Sequence, residues 1–389
     1  MNIFSKNSYF LSQPHQPFFL LGIINAILFM LLFTLSYKGI ITLQTDTTMF
    51  HAYSLVYLVF SNLFRGFLFT TFPRFNQTQV IAQTFYTKIF YVALGGSLFY
   101  ILATLSSETL TIVSMFVIFL TEIFTFKKLY QIYKEGMAPD KSDSFWILLS
   151  YSFGIFAHIL FFIALFYPQL QELAIKVAFY LYLIFLAFSV AQRMIPFFSH
   201  SFTQKNEKFI KVMFILFVLK TVGSAFDIKT IEILTDLALT FLSAKEFLRW
   251  KLQPLQAPAI LWILHLALAW LSVAFFLSAL SLITEILLSS SFYFLNIHLL
   301  ALGFLSTVLV GFGTRVILGH SGQPPHADSV AIKIFLFIQL VVLGRILVSF
   351  DVMFGWGMSF LFDISATLWI LLFLWWGGRY ATTLLYKRL

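Results

Sequence analysis

The sequence predicts an all-α integral membrane protein of about twelve transmembrane helices with both termini cytoplasmic. Three observations carry this reading. Of the 389 residues, 60% are hydrophobic and only 11% charged, with a mean hydropathy of +0.91; a soluble domain carries about a quarter charged residues. Apolar windows of about 20 residues, the length needed to cross a bilayer, recur along the whole chain. The loops between them alternate in charge.

Taken in order, the first window spans 18–41. It begins at Phe18 and continues without a small-residue cleavage site, so it reads as a retained span rather than a signal peptide. Next come 50–72, opened by His51, then 86–105 and 109–126, divided by a very short turn. Windows follow at 145–166, 173–196, and the closely spaced 209–226 and 231–248. The last four are 257–281, 291–318, 331–350 and 355–378. Gly319, Gly322, Pro324 and Pro325 stop the tenth window in a turn. The two very short turns leave ten or eleven crossings as alternative counts.

Loop charge tests the count, because one missed crossing would scramble the alternation. Lys6, Arg74, Lys127, Lys128, Lys205, Lys251, Lys333, Lys387 and Arg388 fall on one side. Asp46, Glu108, Glu172, Asp227, Glu232, Glu285 and Asp351 fall on the other, with Lys38, Lys176 and Lys229 as exceptions. The positive-inside rule then places both termini in the cytoplasm, which requires an even number of spans. No hydrophilic segment is long enough for a separate domain, so residues 1–389 read as a single polytopic membrane domain. A His followed by a Gly-containing arginine segment occurs in both window 2 and window 10, a hint of a six-plus-six internal pseudo-repeat.

Composition also excludes. The net charge of +9 comes from short loops between spans, so it argues for orientation in a membrane and against nucleic acid binding. Without cysteine, any metal must be held by His, Met, carboxylate or backbone. No phosphate-binding loop, GxSxG, HExxH or dinucleotide fingerprint is present. Acids within the windows are too few for a carboxylate relay.

The chemistry therefore rests on histidine and arginine. His51, His158, His265 and His298 lie in apolar windows, with His320 just after the tenth; His15, His200 and His326 fall in cytoplasmic segments. Ionisable groups in a bilayer are costly and mark cofactors or pathways, the bland alternative being a neutral ring bonded to a neighbouring helix. Helical rise puts His265 and His298 roughly 10 Å apart in depth, with His51 near the level of His298, so the three are candidates for one cavity. His15 and His320, at the other surface, are candidates for a second site. Arg65, Arg193 and Arg315 are the intramembrane arginines. Each either snorkels to the interface or pairs with haem propionates or an anionic substrate. On an ideal helix, Arg65 shares a face with His51 within about 40°.

Four stretches together resemble the NnrS family of bacterial membrane proteins: SQPHQPFFLLG at 12–22, FHAYSLVYLVFSNLFRGFLFTTFPRF at 50–75, RMIPFF at 193–198, and HLLALGFLSTVLVGFGTRVILGHSGQPP at 298–325. The helix around His265 resembles the span preceding the family's last motif. The resemblance implies an inner-membrane protein carrying haem b and copper, linked to nitric oxide metabolism or defence against nitrosative stress. It makes His15, His51, His265, His298 and His320 candidate metal ligands, and Arg65, Arg193 and Arg315 candidate cofactor-binding residues. Many relatives read HAHE where this chain reads HAYS, so Tyr53 and Ser54 stand in place of a His and a Glu. That substitution puts copper in doubt and leaves haem the firmer expectation.

The expected function is binding or turnover of nitric oxide or its adducts at a His-ligated haem, held by His51 and His298 or by one of them with His265. Membrane quinol or another electron donor would supply electrons if the protein is a haem-dependent oxidoreductase. The alternative is a transporter of a metal complex or small anion using the same His and Arg groups.

Overall fold

A computed structural model describes residues 8–252 and 256–387; Lys6 and Arg388, used above for loop charge, lie outside the described residues. Among the described residues every regular element is helical. A short 3₁₀ turn at Tyr9–Leu11 precedes the long helices. In chain order these are α1 (His15–Tyr37), α2 (Thr47–Phe75), α3 (Gln83–Ser106), α4 (Glu108–Glu135), α5 (Ser142–Phe166) and α6 (Pro168–Phe198). They continue as α7 (Glu207–Ala225), α8 (Lys229–Arg249), α9 (Ala259–Leu288), α10 (Leu295–His320), α11 (Ser329–Phe354) and α12 (Phe360–Tyr386).

All but α7 and α8, ten helices, are long and apolar enough to cross a membrane. The chain is a multi-pass membrane protein. Helices α7 and α8 fall short because they are richer in charge, with Glu207, Lys208, Lys211 and Lys220 on α7 and Glu232, Asp236, Lys245 and Glu246 among those on α8; Lys220, Glu232 and Asp236 are buried against one another. The turn between α3 and α4, short as it is, separates two full-length helices.

Local chemistry fixes several ends. Asp46 caps α2 by accepting from the Met49 amide at 2.9 Å, and Asp328 caps α11 by accepting from Ala331 at 2.8 Å. Gly355 closes α11 in the left-handed region, at φ 62°.

Helices α2, α6 and α10 are the enclosed ones. Buried residues make up 94% of the apolar stretch of α2 and of α6 and 72% of α10, against 56% or less in the other seven spans. The same three each widen into a π-helical segment, at Ser54–Phe60, Val177–Ile184 and Leu299–Ser306. A π turn loosens the backbone ladder, and carbonyls in a lipid-excluded interior still need donors. Side chains help supply them: Asn25 and Asn62 both donate to the Leu58 carbonyl, and Ser306 donates to that of Ala301 five residues back. These segments correct one expectation. The shared face of His51 and Arg65 assumed 3.6 residues per turn, and Ser54–Phe60 lies between them and breaks that register.

Contacts gather into two compact units. The first holds the residues up to Ala178, then Val316–Gln323 and those from Phe373 onward; the second holds Phe179–Arg315 and Pro324–Leu372. With no long hydrophilic loop, the sequence bears no mark of this division.

In the first unit α1 lies against α2, with small residues at the crossing. A Cβ at Gly22 would meet Leu63 at 2.8 Å, and one at Gly66 would meet the Phe19 ring at 2.8 Å and Phe18 Cβ at 3.1 Å. Here too Arg65 finds its partners. Its Nη2 donates to Glu122 of α4 at 2.6 Å, Nη1 to Asn62 at 2.6 Å and Nε to Thr125 at 2.9 Å, while the Tyr151 hydroxyl of α5 donates to the other Glu122 oxygen. Arg65 thus turns inward onto the protein instead of snorkelling. In the second unit α7 pairs with α8, α8 runs along α9, and α9 packs on the π segment of α10.

The α1–α2 crossing predicts that Gly66→Ala destabilises the protein by about 1–3 kcal/mol through overpacking. Gly95→Ala, whose Cβ faces open space, is neutral or slightly stabilising. Thermal unfolding of the two variants in detergent makes the comparison.

Candidate functional site

The two most distinctive motifs meet in the first unit. His15 opens α1 and His320 ends α10, and their ring centres stand 5.0 Å apart at a 47° tilt. His15 is 2% exposed, and its Nδ1 has no hydrogen-bond partner among the described residues. A buried ring nitrogen without a partner costs free energy unless something fills its lone pair or takes its proton. Two imidazoles binding one ion at about 2.0–2.1 Å with a tetrahedral angle would place their ring centres about 5 Å apart. Among the described residues no group of three or more His, Asp or Glu gathers around a common point, so the pair supplies two protein donors. Imidazole donors suit copper and zinc.

His265 stands elsewhere, in the second unit. It lies in the second turn of α9 and forms part of the wall of a cavity of about 850 Å³. Three stretches build that wall: residues 199–203 just after α6, residues 249–251 at the end of α8, and residues at and just before the start of α9. Ser199 Oγ lies 2.7 Å from His265 Nε2, and the buried Nδ1 has no partner among the described residues. The segment after α6 is tied to the end of α8. Ser201 donates to the Trp250 carbonyl at 2.8 Å, and Arg249 donates back to Gln204 at 2.8 Å. Two non-glycine residues in the wall, His200 at φ 52° and Lys251 at φ 53°, occupy the left-handed region, where L-residues are held only by their surroundings. Glu246 accepts from Arg249 Nε at 2.9 Å and from the Trp250 indole at 3.1 Å, and it raises the guanidinium's already high pKa further. The cavity is therefore a pocket with cationic Arg249 and Lys251 and an imidazole in its wall.

The other candidates are placed as follows. Arg315 lies over the Phe198 ring at 3.9 Å, a cation–π contact that fixes the end of α6 beside Ser199. Arg193 is half-buried in the last two turns of α6. His51, in the first unit, stacks on Phe33 at 4.0 Å. His298 sits in the first turn of α10. Its Nδ1 lies 2.9 Å from the Phe294 carbonyl, which can only accept, so Nδ1 carries a proton.

One expected grouping fails. His265 and His298 lie near opposite ends of the α9–α10 hairpin, about 30 Å apart along its axis at 1.5 Å per residue. Helix α9 is 30 residues long and overruns the bilayer thickness from which the 10 Å separation was reckoned. A single group held by both is excluded.

His158, noted from sequence as a histidine in an apolar window, is enclosed by Tyr57, Phe119 and Phe162, with the Tyr53 hydroxyl 2.9 Å from its Nε2. Several other groups escaped the sequence reading. Glu122, Lys220 and Asp236 are buried polar groups within helices, and Glu232, assigned to an acidic loop, is buried beside Lys220. The available signal was cost: a lone Glu in VIFLTEIFTF or a lone Lys in MFILFVLKTV needs an opposite charge nearby.

Compared with known protein families, the chain matches the model described as NnrS protein over residues 9–388. It belongs to the NnrS family. At family level it is thus a nitric-oxide-related membrane protein. No curated protein matches the chain. Both NnrS motifs that carry the resemblance most strongly, around His15 and around His320, converge on the 5.0 Å pair.

The pair predicts that copper(II) titrated into the purified protein binds at one site whose affinity falls roughly tenfold or more, about 1.4 kcal/mol, in His15→Ala and in His320→Ala. His326→Ala, on the loop after α10, leaves it unchanged. Isothermal titration with metal analysis reads the difference.

Proposed function

We propose that this NnrS-family protein is a haem-binding protein of the bacterial inner membrane that binds or turns over nitric oxide or its adducts, with copper as a second group. The observation that carries the reading is His265, an imidazole that lines a cavity of about 850 Å³ and whose buried Nδ1 has no hydrogen-bond partner among the described residues. That size lies within the range of cofactor pockets. When bound, haem supplies a coordination position for a diatomic ligand such as nitric oxide.

The chain's own residues then have distinct tasks. His265, oriented by Ser199, would hold the haem, and Trp250, Pro258 and Leu261 would supply apolar walls. Arg249 and Lys251 offer cations to propionates, Arg249 being held in place by Glu246. Arg315 shapes the wall through Phe198. The His15–His320 pair is the copper site, a placement that does not depend on the missing HAHE sequence. His51 and His298 remain candidate ligands at the other ends of their helices. Turnover of nitric oxide would draw electrons from membrane quinol.

A second reading, carriage of a small anion or metal complex, is favoured by the cationic rim of the same cavity. The absorption spectrum separates them. Protein purified from haem-replete cells should show a Soret band that disappears or shifts in His265→Ala, while His298→Ala keeps it. Absence of a Soret band in the unaltered protein would leave the carrier reading.

A further inference from the structure

A second buried polar centre lies in the α7–α8–α9 packing and has no part in the sites above. Lys220 of α7 is fully enclosed. Its Nζ donates to Glu232 Oε2 at 2.8 Å and to Asp236 Oδ2 at 2.8 Å, both on α8. Ser278 of α9 donates to the same Asp236 oxygen at 2.6 Å, and the Tyr180 ring of α6 lies 5.7 Å from Nζ. The ionisable groups facing the centre are therefore Lys220, Glu232, Asp236 and the Tyr180 phenol. The nearby Lys229–Glu285 pair, at 3.8 Å, balances itself at the helix ends.

Charge does not balance inside. One ammonium faces two carboxylates whose side chains are 5% and 0% exposed, so full ionisation would leave a net negative charge enclosed in protein. A buried charge without a partner neutralises instead. A separate observation marks where. Asp236 Oδ1 is buried with no hydrogen-bond partner among the described residues, whereas Oδ2 already receives Lys220 and Ser278.

We propose that Glu232, Lys220 and Asp236 form a proton-binding site in which the two carboxylates share one exchangeable proton. Taking up that proton from water brings the centre from a net charge of minus one to zero.

The face of α8 that carries Asp236 also carries a route. Thr240, Ser243 and Glu246 follow at successive turns, Ser243 meets Ser272 of α9 at 2.7 Å, and Glu246 accepts from Trp250 in the cavity wall. Each step is about 4.5–6 Å of helical rise, a distance one bridging water can span. The proton thus exchanges with the cavity along α8.

Infrared spectroscopy of the full-length protein in lipid nanodiscs at neutral pH tests both parts. The unaltered protein should show a protonated-carboxyl C=O band that shifts in D₂O. Asp236→Asn and Glu232→Gln should each abolish the corresponding intensity, because the remaining carboxylate then balances Lys220. Lys220→Met should raise it, since both carboxyls become neutral. Ser243→Val should retain the band and slow its deuterium exchange. A protein lacking the band, or a band indifferent to the carboxyl substitutions, would overturn the site, and exchange in Ser243→Val as fast as in the unaltered protein would overturn the route. Should one carboxyl variant fail to fold, the other and Lys220→Met carry the decision.

Discussion

The ion pair between Arg65 and Glu122 states the constraint on which the rest depends. Neither group can be hydrated where it lies, at 1% and 2% side-chain exposure, so each exists as an ion only because the other is there. Removing one partner of such a pair costs about 3–5 kcal/mol, far more than an exposed ion pair contributes. The demand also fixes geometry. Asn62, Thr121, Thr125 and Tyr151 complete the donors and acceptors around the pair and so tie α2, α4 and α5 into one register. The Lys220 centre answers the same demand in the second unit with one carboxylate too many. That surplus separates a structural pair from a group able to exchange a proton.

A similar logic applies to the backbone. The π segments of α2, α6 and α10 recur every fourth helix and fall in the most enclosed spans. In a soluble protein water would satisfy a loosened ladder; here asparagine side chains do so in α2, and serine and threonine side chains in α10. The likeness between windows 2 and 10, read from sequence as a six-plus-six repeat, falls on helices eight apart. That is twice the four-helix interval. Each of these helices also carries one of the arginines singled out from sequence, namely Arg65, Arg193 and Arg315.

Much of the fold was legible because the bilayer imposes a length and a polarity that composition records directly. All twelve helices fall where apolar windows and short turns place them. What escaped depends on distance. Sequence marks Arg65 as costly but does not say that Glu122, 57 residues on, faces it. The depth estimate for His265 and His298 failed because α9 is longer than the hydrocarbon it crosses. Lys220 was overlooked because one charge hardly lowers the hydropathy of an apolar run, although the energetic cost of that charge is large. The motifs around His15 and His320 were legible as motifs, 305 residues apart; only the fold brings their rings within 5.0 Å.

The claim that enclosed charges are held as mutually dependent partners is tested most directly by a double-mutant cycle at Arg65 and Glu122. Unfolding free energies of Arg65→Leu, Glu122→Leu and the combined variant would be compared in the same detergent. Each single substitution strands a charge and should be strongly destabilising. The combined variant strands none and should lose less than either single one. Losses that simply add would contradict the account.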